Sequence, residues 1–195
     1  MSLLDVLRPA GVIRIGTPRR PLDEDTGLPG RTAFTADLTR ATRAHPPGLL
    51  CLGLLALGGL DQATLATGRR WVEQRVLCAG DVLSRLTACD TQLSAYRLGA
   101  HTFGLVLSAT RLDDAFPIAD AVRLRVERDA DPLTCAIGLA IMDDVRVTDP
   151  AALEIAADAA LDQAQLLGRD GGTGRVVAAA DEASGLRWIT TRPGR

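Results

Sequence analysis

A continuous apolar run in the first third of the chain, GLLCLGLLALGGL from Gly48 to Leu60, most constrains the fold. Two prolines precede it, and no charged residue interrupts it. The run is shorter than the roughly 20 residues that a membrane-spanning helix needs. A half-exposed strand would alternate apolar and polar residues, so this run predicts a strand that is covered on both faces. The chain is therefore expected to build a central sheet around it.

Helical and strand patterns alternate along the rest of the chain. Helical spacing predicts a helix that begins after the loop near residue 30 and ends before Pro46. The helical segment from Asp61 to Cys89 is interrupted at Gly68 and Gly80, so two pieces are expected. The further elements are a hairpin of 92–98 with 103–108, a helix at 111–128, a strand at 133–142, a helix at 149–168 and a strand at 173–180. Hairpins mixed with strand–helix–strand crossovers predict an α+β fold, one sheet covered by helices.

The helix at 149–168 has the clearest end signals. Asp149 is placed to accept hydrogen bonds from the free N–H groups of the first turn, and Pro150 suits the first helical position. Gly168 suits a left-handed residue that ends the helix.

Composition limits the classes of function. A chain of 195 residues that is 47% hydrophobic and has a net charge of −2 predicts one domain with short tails. Aromatic residues are only 3%, and the arginines are balanced by acidic residues, so nucleic acid is not an expected partner. The first 21 residues hold a short helix pattern ending near Pro9 and no export signal, so the expectation is a cytoplasmic protein off the membrane.

The cysteines predict neither a zinc site nor disulfides. They lie far apart, form no C-x-x-C pair and are accompanied by only two histidines. The expectation is four free thiols buried in apolar segments: Cys51, Cys78, Cys89 and Cys135.

Five segments resemble, in the right order, the motifs of one family. They are DEDTGLPGR at 23–31, Gly80–Asp81, YRLGAHTF at 96–103, CAIGLA at 135–140 and AADAALDQAQLLGRDGG at 156–172. They are similar to D-x-L-T-G-L-P-N-R, G-D, Y-R-L-G-G-D-E-F, S-I-G-I-A and A-D-x-A-L-Y-x-A-K-x-x-G-R-N of the GGDEF domains, which as diguanylate cyclases join two GTP molecules into cyclic di-GMP. The resemblance implies a palm-like, ferredoxin-like sheet, mostly antiparallel, in a domain at 22–178 between a lead-in segment at 1–21 and a C-terminal tail at 179–195.

The departures from the family concern its metal site. Magnesium takes carboxylate ligands, and phosphoryl transfer needs the ion to neutralise the triphosphate. The resemblance places those ligands at the end of the first strand and in the acidic pair of the hairpin tip. Here Ala100, His101 and Thr102 occupy the tip, and no acidic residue occurs between Arg40 and Leu60. The resemblance therefore implies that cyclase activity is lost and that no metal or other cofactor is bound.

The remnant signature turn consists of Gly99, Ala100, His101, Thr102 and Phe103. Gly99 is expected to turn the hairpin with a positive φ, and His101 to be an exposed turn residue. The family's lysine on the last helix is replaced by Gln165, and its guanine-reading asparagine has no counterpart, since the chain contains no asparagine.

Two positions of the family's nucleotide pocket persist, Asp81 for the guanine edge and Arg169 for phosphate. Asp81 is equally explained as a helix N-cap, and Arg169 as a cation at a helix C-terminus. The family's inhibitory R-x-x-D motif is missing, because Arg85 and Asp90 have the wrong spacing. A cluster of Arg69, Arg70 and Arg75 is either a solvated face or a surface for an anion or a partner.

These features predict a catalytically inactive, degenerate GGDEF-like domain that acts as a regulatory or protein-interaction module in bacterial cyclic di-GMP signalling. The alternative is a sensor that binds GTP or cyclic di-GMP in the remnant pocket, and an altered enzyme centred on His101 remains a third hypothesis. A protein partner is expected, and a homodimer is a further candidate assembly.

Overall fold

The computed structural model describes residues 22–46, 49–108, 110–142, 149–169, 175–182 and 185–190. The helix pattern near Pro9 lies outside the described residues. The helices are α1 (Arg31–Ala44), α2 (Leu60–Thr67), α3 (Arg69–Cys89), α4 (Leu112–Asp129) and α5 (Pro150–Arg169). The strands are β1 (Leu50–Gly58), β2 (Leu93–Arg97), β3 (Thr102–Ser108), β4 (Thr134–Ile141), β5 (Val176–Glu182) and β6 (Gly185–Thr190).

The strands form one six-stranded sheet in the order β2-β3-β1-β4-β5-β6. All neighbouring pairs are antiparallel except β4 and β5, which run parallel because α5 carries the chain back between them. The sheet is therefore mixed and mostly antiparallel. This confirms the predicted α+β class.

The predicted apolar strand, β1, lies in the middle of the sheet and is buried along almost its whole length. Leu52 and Leu54 face the layer of α1 and α5, whereas Cys51 and Leu55 face the layer of α3 and α4. Each layer of helices therefore needs the apolar side chains of one face of β1, which explains why the run has no polar alternation.

The helical segment after β1 breaks at one of the two predicted glycines. Gly68 separates α2 from α3 and adopts a φ of +89°, which favours glycine. Gly80, in contrast, lies inside α3, so the predicted second break is wrong. A Cβ built on Gly80 would lie 2.7 Å from both Cβ and Cγ2 of Thr26. The glycine is explained by this close approach of the loop 22–30, which residue pattern alone does not reveal.

The predicted start of α5 is confirmed. The backbone N–H of Ala151 donates to Oδ1 of Asp149 at 3.0 Å, and Pro150 is the first helical residue. The helix extends to Arg169, one residue past the predicted stop at Gly168. α5 packs directly on β4 at Gly138, because a Cβ there would lie 2.1 Å from the backbone nitrogen of Leu161.

The sheet continues past residue 178, the predicted end of the domain. β5 extends to Glu182, and β6 pairs with it in antiparallel register from Val177↔Thr190 to Glu182↔Gly185. Residues 185–190, which the sequence placed in a C-terminal tail, therefore form the edge strand of the sheet. Among the helices of the described residues, none combines the length and apolar character needed to cross a bilayer.

All four cysteines are free, as expected. Cys51 and Cys135 are buried, but Cys78 is half-buried and Cys89, the last residue of α3, is exposed. The prediction that all four are buried is therefore wrong. Burial, with a smaller contribution from the carboxylate of Glu127, raises the pKa of the Cys135 thiol well above its ordinary value.

Candidate functional site

The signature turn lies between β2 and β3, which form the predicted hairpin. The backbone N–H groups of Leu98 and Gly99 both donate to the carbonyl oxygen of Thr102, at 2.9 and 3.2 Å. Gly99 is not among the glycines of positive φ, so that prediction is wrong. The turn is closed by the two hydrogen bonds to Thr102, and a Cβ on Gly99 would meet the Thr102 side chain at an ordinary 3.9 Å.

The turn lies against the end of β1. The backbone N–H of Leu57 donates to the carbonyl oxygen of His101 at 3.1 Å, and Ala56 is paired with Thr102 across the two strands. His101 is exposed, as expected of a turn residue. The two places that the family resemblance assigns to metal-binding carboxylates are therefore adjacent here, and they carry alanine, leucine, histidine and threonine.

An open cavity of about 360 Å³ lies beside the turn, on the face of the sheet that carries α1 and α5. We call it the tip cavity. It is lined by Arg31, Leu54, Leu98, Thr102, Ala151, Glu154, Ile155 and Asp158.

The charged groups of the tip cavity come from the first residue of α1 and the first half of α5. The Arg31 guanidinium forms an ion pair with the Glu154 carboxylate. Asp158, one turn further along α5, has no hydrogen-bond or ion-pair partner among the described residues. With one arginine against two carboxylates, the lining favours a ligand that brings positive charge or hydrogen-bond donors.

Arg97, at the end of β2, connects the turn to the loop 22–30. Its guanidinium lies 4.6 Å from the centre of the Phe103 ring and donates to the carbonyl oxygen of Ala100. Its backbone N–H donates to the carbonyl oxygen of Pro29 at 2.8 Å. Burial lowers the pKa of the Arg97 guanidinium, and the carboxylates of Asp23 and Asp25 act in the opposite direction.

The loop 22–30 is fixed by Asp23. Its Oδ1 accepts hydrogen bonds from the backbone N–H of Thr26 at 2.9 Å and from the Thr26 hydroxyl at 2.7 Å. The hydroxyl bond is the largest cause that lowers the pKa of the Asp23 carboxyl from its ordinary value. This loop delivers the chain to Gly30, the residue before α1, and so positions Arg31.

The first helix is anchored to the hairpin by a buried polar contact. The Tyr96 hydroxyl donates to Oδ2 of Asp37, which is fully buried, at 2.8 Å. The Arg40 guanidinium lies 3.2 Å from the other carboxylate oxygen, and the Phe34 and Tyr96 rings meet edge to face at 5.5 Å. These contacts hold α1, and with it one wall of the tip cavity, against β2.

The structure does not bring the two candidate nucleotide residues to the tip cavity. Asp81 lies in the middle of α3, so the alternative that it is a helix N-cap is wrong, and it pairs with Arg85 at 2.9 Å. Arg169 ends α5 about 16 Å along the helix axis from Asp158, and its side chain lies outside the described part. Asp90 accepts a hydrogen bond from the backbone N–H of Gln92.

Sequence reasoning missed the charged residues of the tip cavity. Glu154 and Asp158 are spaced for one face of a helix, which is a signal, but the helix pattern does not show which face meets the turn. Arg31 is the last residue of the motif at 23–31, but nothing in that motif indicates that its side chain lines a cavity with α5. Within the described ranges, no cluster of three or more histidine, cysteine, aspartate or glutamate side chains could hold a metal ion.

A mostly antiparallel sheet with two helical layers and a hairpin turn beside the end of its central strand defines the fold class. Among solved structures, this is the fold of GGDEF domains. The GGDEF domain of DgcB from Caulobacter crescentus, in complex with c-di-GMP, is 22% identical, with a TM-score of 0.68 over 87% of this chain and 98% of that one. The FimX GGDEF domain from Pseudomonas aeruginosa is 18% identical, with a TM-score of 0.64 over 80% and 98%.

A third similar structure is that of the diguanylate cyclase SiaD from Pseudomonas aeruginosa, in complex with its activator SiaC. It is 23% identical, with a TM-score of 0.69 over 81% of this chain and 61% of that one. No protein-family model and no curated protein sequence matches the chain. The predicted resemblance is thus confirmed for the fold.

Proposed function

We propose that the protein is a catalytically inactive GGDEF-like domain that acts as a regulatory or protein-interaction module in cyclic di-GMP signalling. One observation carries the proposal: Ala56 and Leu57 at the end of β1 face Thr102 and His101 at the turn. None of these four side chains is a carboxylate. A magnesium ion at this place would lack the oxygen ligands that it needs to neutralise a triphosphate.

The first experiment measures cyclic di-GMP formed from GTP by the purified protein, with Mg²⁺ and separately with Mn²⁺. The expected product is no more than that of a protein-free reaction. His101→Ala is the matched variant, because it removes the one titratable side chain of the turn without changing the fold contacts of His101, which are made by its backbone. Product from the wild type above the level of the protein-free reaction would contradict the proposal, and its loss in His101→Ala would place the activity at the turn.

A nucleotide sensor is the second candidate, and one charged group of the tip cavity, Arg31, favours it. The Arg31 guanidinium at the cavity wall is a donor for a phosphate or a guanine edge. The two carboxylates of the lining oppose a highly charged triphosphate, so this candidate comes second.

Calorimetric titration with GTP and with cyclic di-GMP, each with and without Mg²⁺, tests the sensor. A sensor that uses the family positions loses affinity in Asp81→Ala and Arg169→Ala, whereas one that uses the tip cavity loses it in Arg31→Ala. An affinity that none of the three variants changes, or the absence of binding, contradicts it. On either candidate, the proposed partners are a protein or a guanine nucleotide, and the proposed location is the cytoplasm.

A further inference from the structure

The corner between α2 and α3 is the most exposed apolar feature of the described residues. We call residues 64–70 the α2–α3 corner; all seven are exposed, and the Leu65 side chain has 89% of its surface in solvent. In α2, Ala63 is buried and Leu60 is half-buried against the core, whereas Leu65 is uncovered. A leucine in this position adds little to the stability of the folded domain, because it keeps almost all of its contact with water.

An arginine without a partner lies at the same corner. Arg69 pairs with Glu73 at 2.8 Å, and the Arg75 guanidinium lies over the Trp71 ring at 4.6 Å. Arg70 is exposed and has no ion pair among the described residues. Arg70 therefore offers a cation without an ion pair among the described residues, close in the chain to the exposed Leu65.

The tip cavity is also partly apolar, but its unpaired charge among the described residues has the opposite sign. Leu54, Leu98 and Ile155 give it an apolar lining, and Ile155 has 70% of its surface exposed. Asp158 on the same helix is a carboxylate of the cavity lining that has no partner within the described ranges. The cavity thus offers an apolar surface and a free anion, where the α2–α3 corner offers an apolar side chain and a free cation.

The two surfaces cannot meet within one chain. Ala63 of α2 packs with the core under α3 and α4, and the tip cavity lies on the other face of the sheet, beside α1 and α5. We infer that the α2–α3 corner of one copy of this chain docks in the tip cavity of a second copy, with Leu65 against Leu98 and Ile155 and with Arg70 paired to Asp158.

This contact joins two different surfaces, so it is heterologous and each copy can hold two neighbours. It is also small, since one short corner enters one cavity. Interfaces below about 1,200 Å² are weak or transient, so we expect a dissociation constant between about 10 µM and 1 mM. The inference is independent of the proposed loss of cyclase activity.

The test is sedimentation equilibrium of the full chain from about 10 µM to 1 mM, the range in which such a contact dissociates. The average mass of the wild type is expected to rise with concentration above the 20.6 kDa of one chain. Arg70→Glu and Asp158→Arg each place like charges across the contact and are expected to weaken association by at least about tenfold. Leu65→Ser removes the apolar half of the contact and is expected to weaken it as well.

A double variant in which the two charges are exchanged distinguishes this contact from other modes of self-association. The double variant Arg70→Glu and Asp158→Arg restores an opposite pair, and its association is expected to return towards that of the wild type. Arg111→Glu is the matched control, since it makes the same charge change at another exposed arginine. Its average mass at each concentration is expected to equal that of the wild type. Circular dichroism checks that each variant is folded.

Three results would overturn the inference. One is a wild type that stays monomeric over the whole range, which would leave the cavity for a different partner. Another is association that the single variants do not weaken. The third is association that Arg111→Glu weakens as strongly as Arg70→Glu, or that the double variant fails to restore. None of these results bears on the cyclase assay, so the proposed function is tested separately.

Discussion

Gly138→Ala tests the contact on which the second helical layer rests. A Cβ on Gly138 would lie 2.1 Å from the backbone nitrogen of Leu161 and 2.4 Å from the carbonyl oxygen of Ala157. The shorter distance is about 1.4 Å less than the roughly 3.5 Å at which non-bonded heavy atoms attract each other. Both neighbours are backbone atoms of α5, so no side-chain rotation relieves the overlap, and the helix has to move off the sheet.

That movement uncovers the face of α5 that is packed against β1 and β4, where the buried side chains are Leu153, Ala157, Ala160, Leu161 and Ala164. Overpacked cores lose about 1–3 kcal/mol, and the rigid neighbours here put the expected loss near the upper end, about 3 kcal/mol. For a chain of this length, that loss lowers Tm by roughly 6–12 °C.

Urea unfolding followed by circular dichroism gives the free energy of unfolding, and calorimetry gives Tm. Gly99→Ala is the matched control, because its Cβ meets Thr102 at 3.9 Å and Gly99 has no positive φ. Its free energy of unfolding is expected to change by less than about 1 kcal/mol. A loss in Gly138→Ala of less than about 1 kcal/mol, equal to that of the control, would refute the close packing of α5 on β4.

Three further variants test other contacts. Gly80→Ala places a Cβ 2.7 Å from the Thr26 side chain, so it is expected to lower the free energy of unfolding by about 1–3 kcal/mol, measured in urea. Tyr96→Phe removes the hydrogen bond to buried Asp37 and is expected to lower the free energy of unfolding in urea by about 1.5–3 kcal/mol; an unchanged value would contradict this. The pKa of Asp23 is lowered by folding, so its contribution is present above about pH 5 and is lost as the pH falls through the folded-state pKa. Thr26→Val removes the hydroxyl bond, so its Tm is expected to fall less steeply with acidification than that of the wild type, and parallel curves would contradict this.

Much of the fold is predictable because local signals agree with the tertiary contacts. The uninterrupted run of β1 requires cover on both faces, and the Asp149–Pro150 start satisfies the free N–H groups of α5 locally. The break predicted at Gly80 was wrong because the glycine is explained by a close contact with a loop that is distant from it in the sequence. β6 was missed because the domain boundary was drawn at residue 178, where the resemblance to the family's motifs ends.

The candidate site was predictable in part. The turn and its lack of carboxylates follow from the sequence, but the walls of the tip cavity come from Arg31 and from residues more than a hundred positions later in α5. Their meeting depends on the parallel β4–α5–β5 crossover, which places the first half of α5 over the turn. The interpretation of Asp81 as an N-cap was wrong because a helix pattern does not tell a mid-helix aspartate from a capping one when a glycine precedes it.

The position of β1 in the sheet has a consequence for synthesis of the chain. Its residues pair with β3 on one side and with β4 on the other, and Cys51 is matched with Ile141. While the ribosome is still adding the residues in between, the uncharged segment LCLGLLALG has emerged and has no partner on that side. Such segments are prone to associate with one another, so the interval before residue 141 leaves the exit tunnel is one in which the unfinished chain is exposed to aggregation.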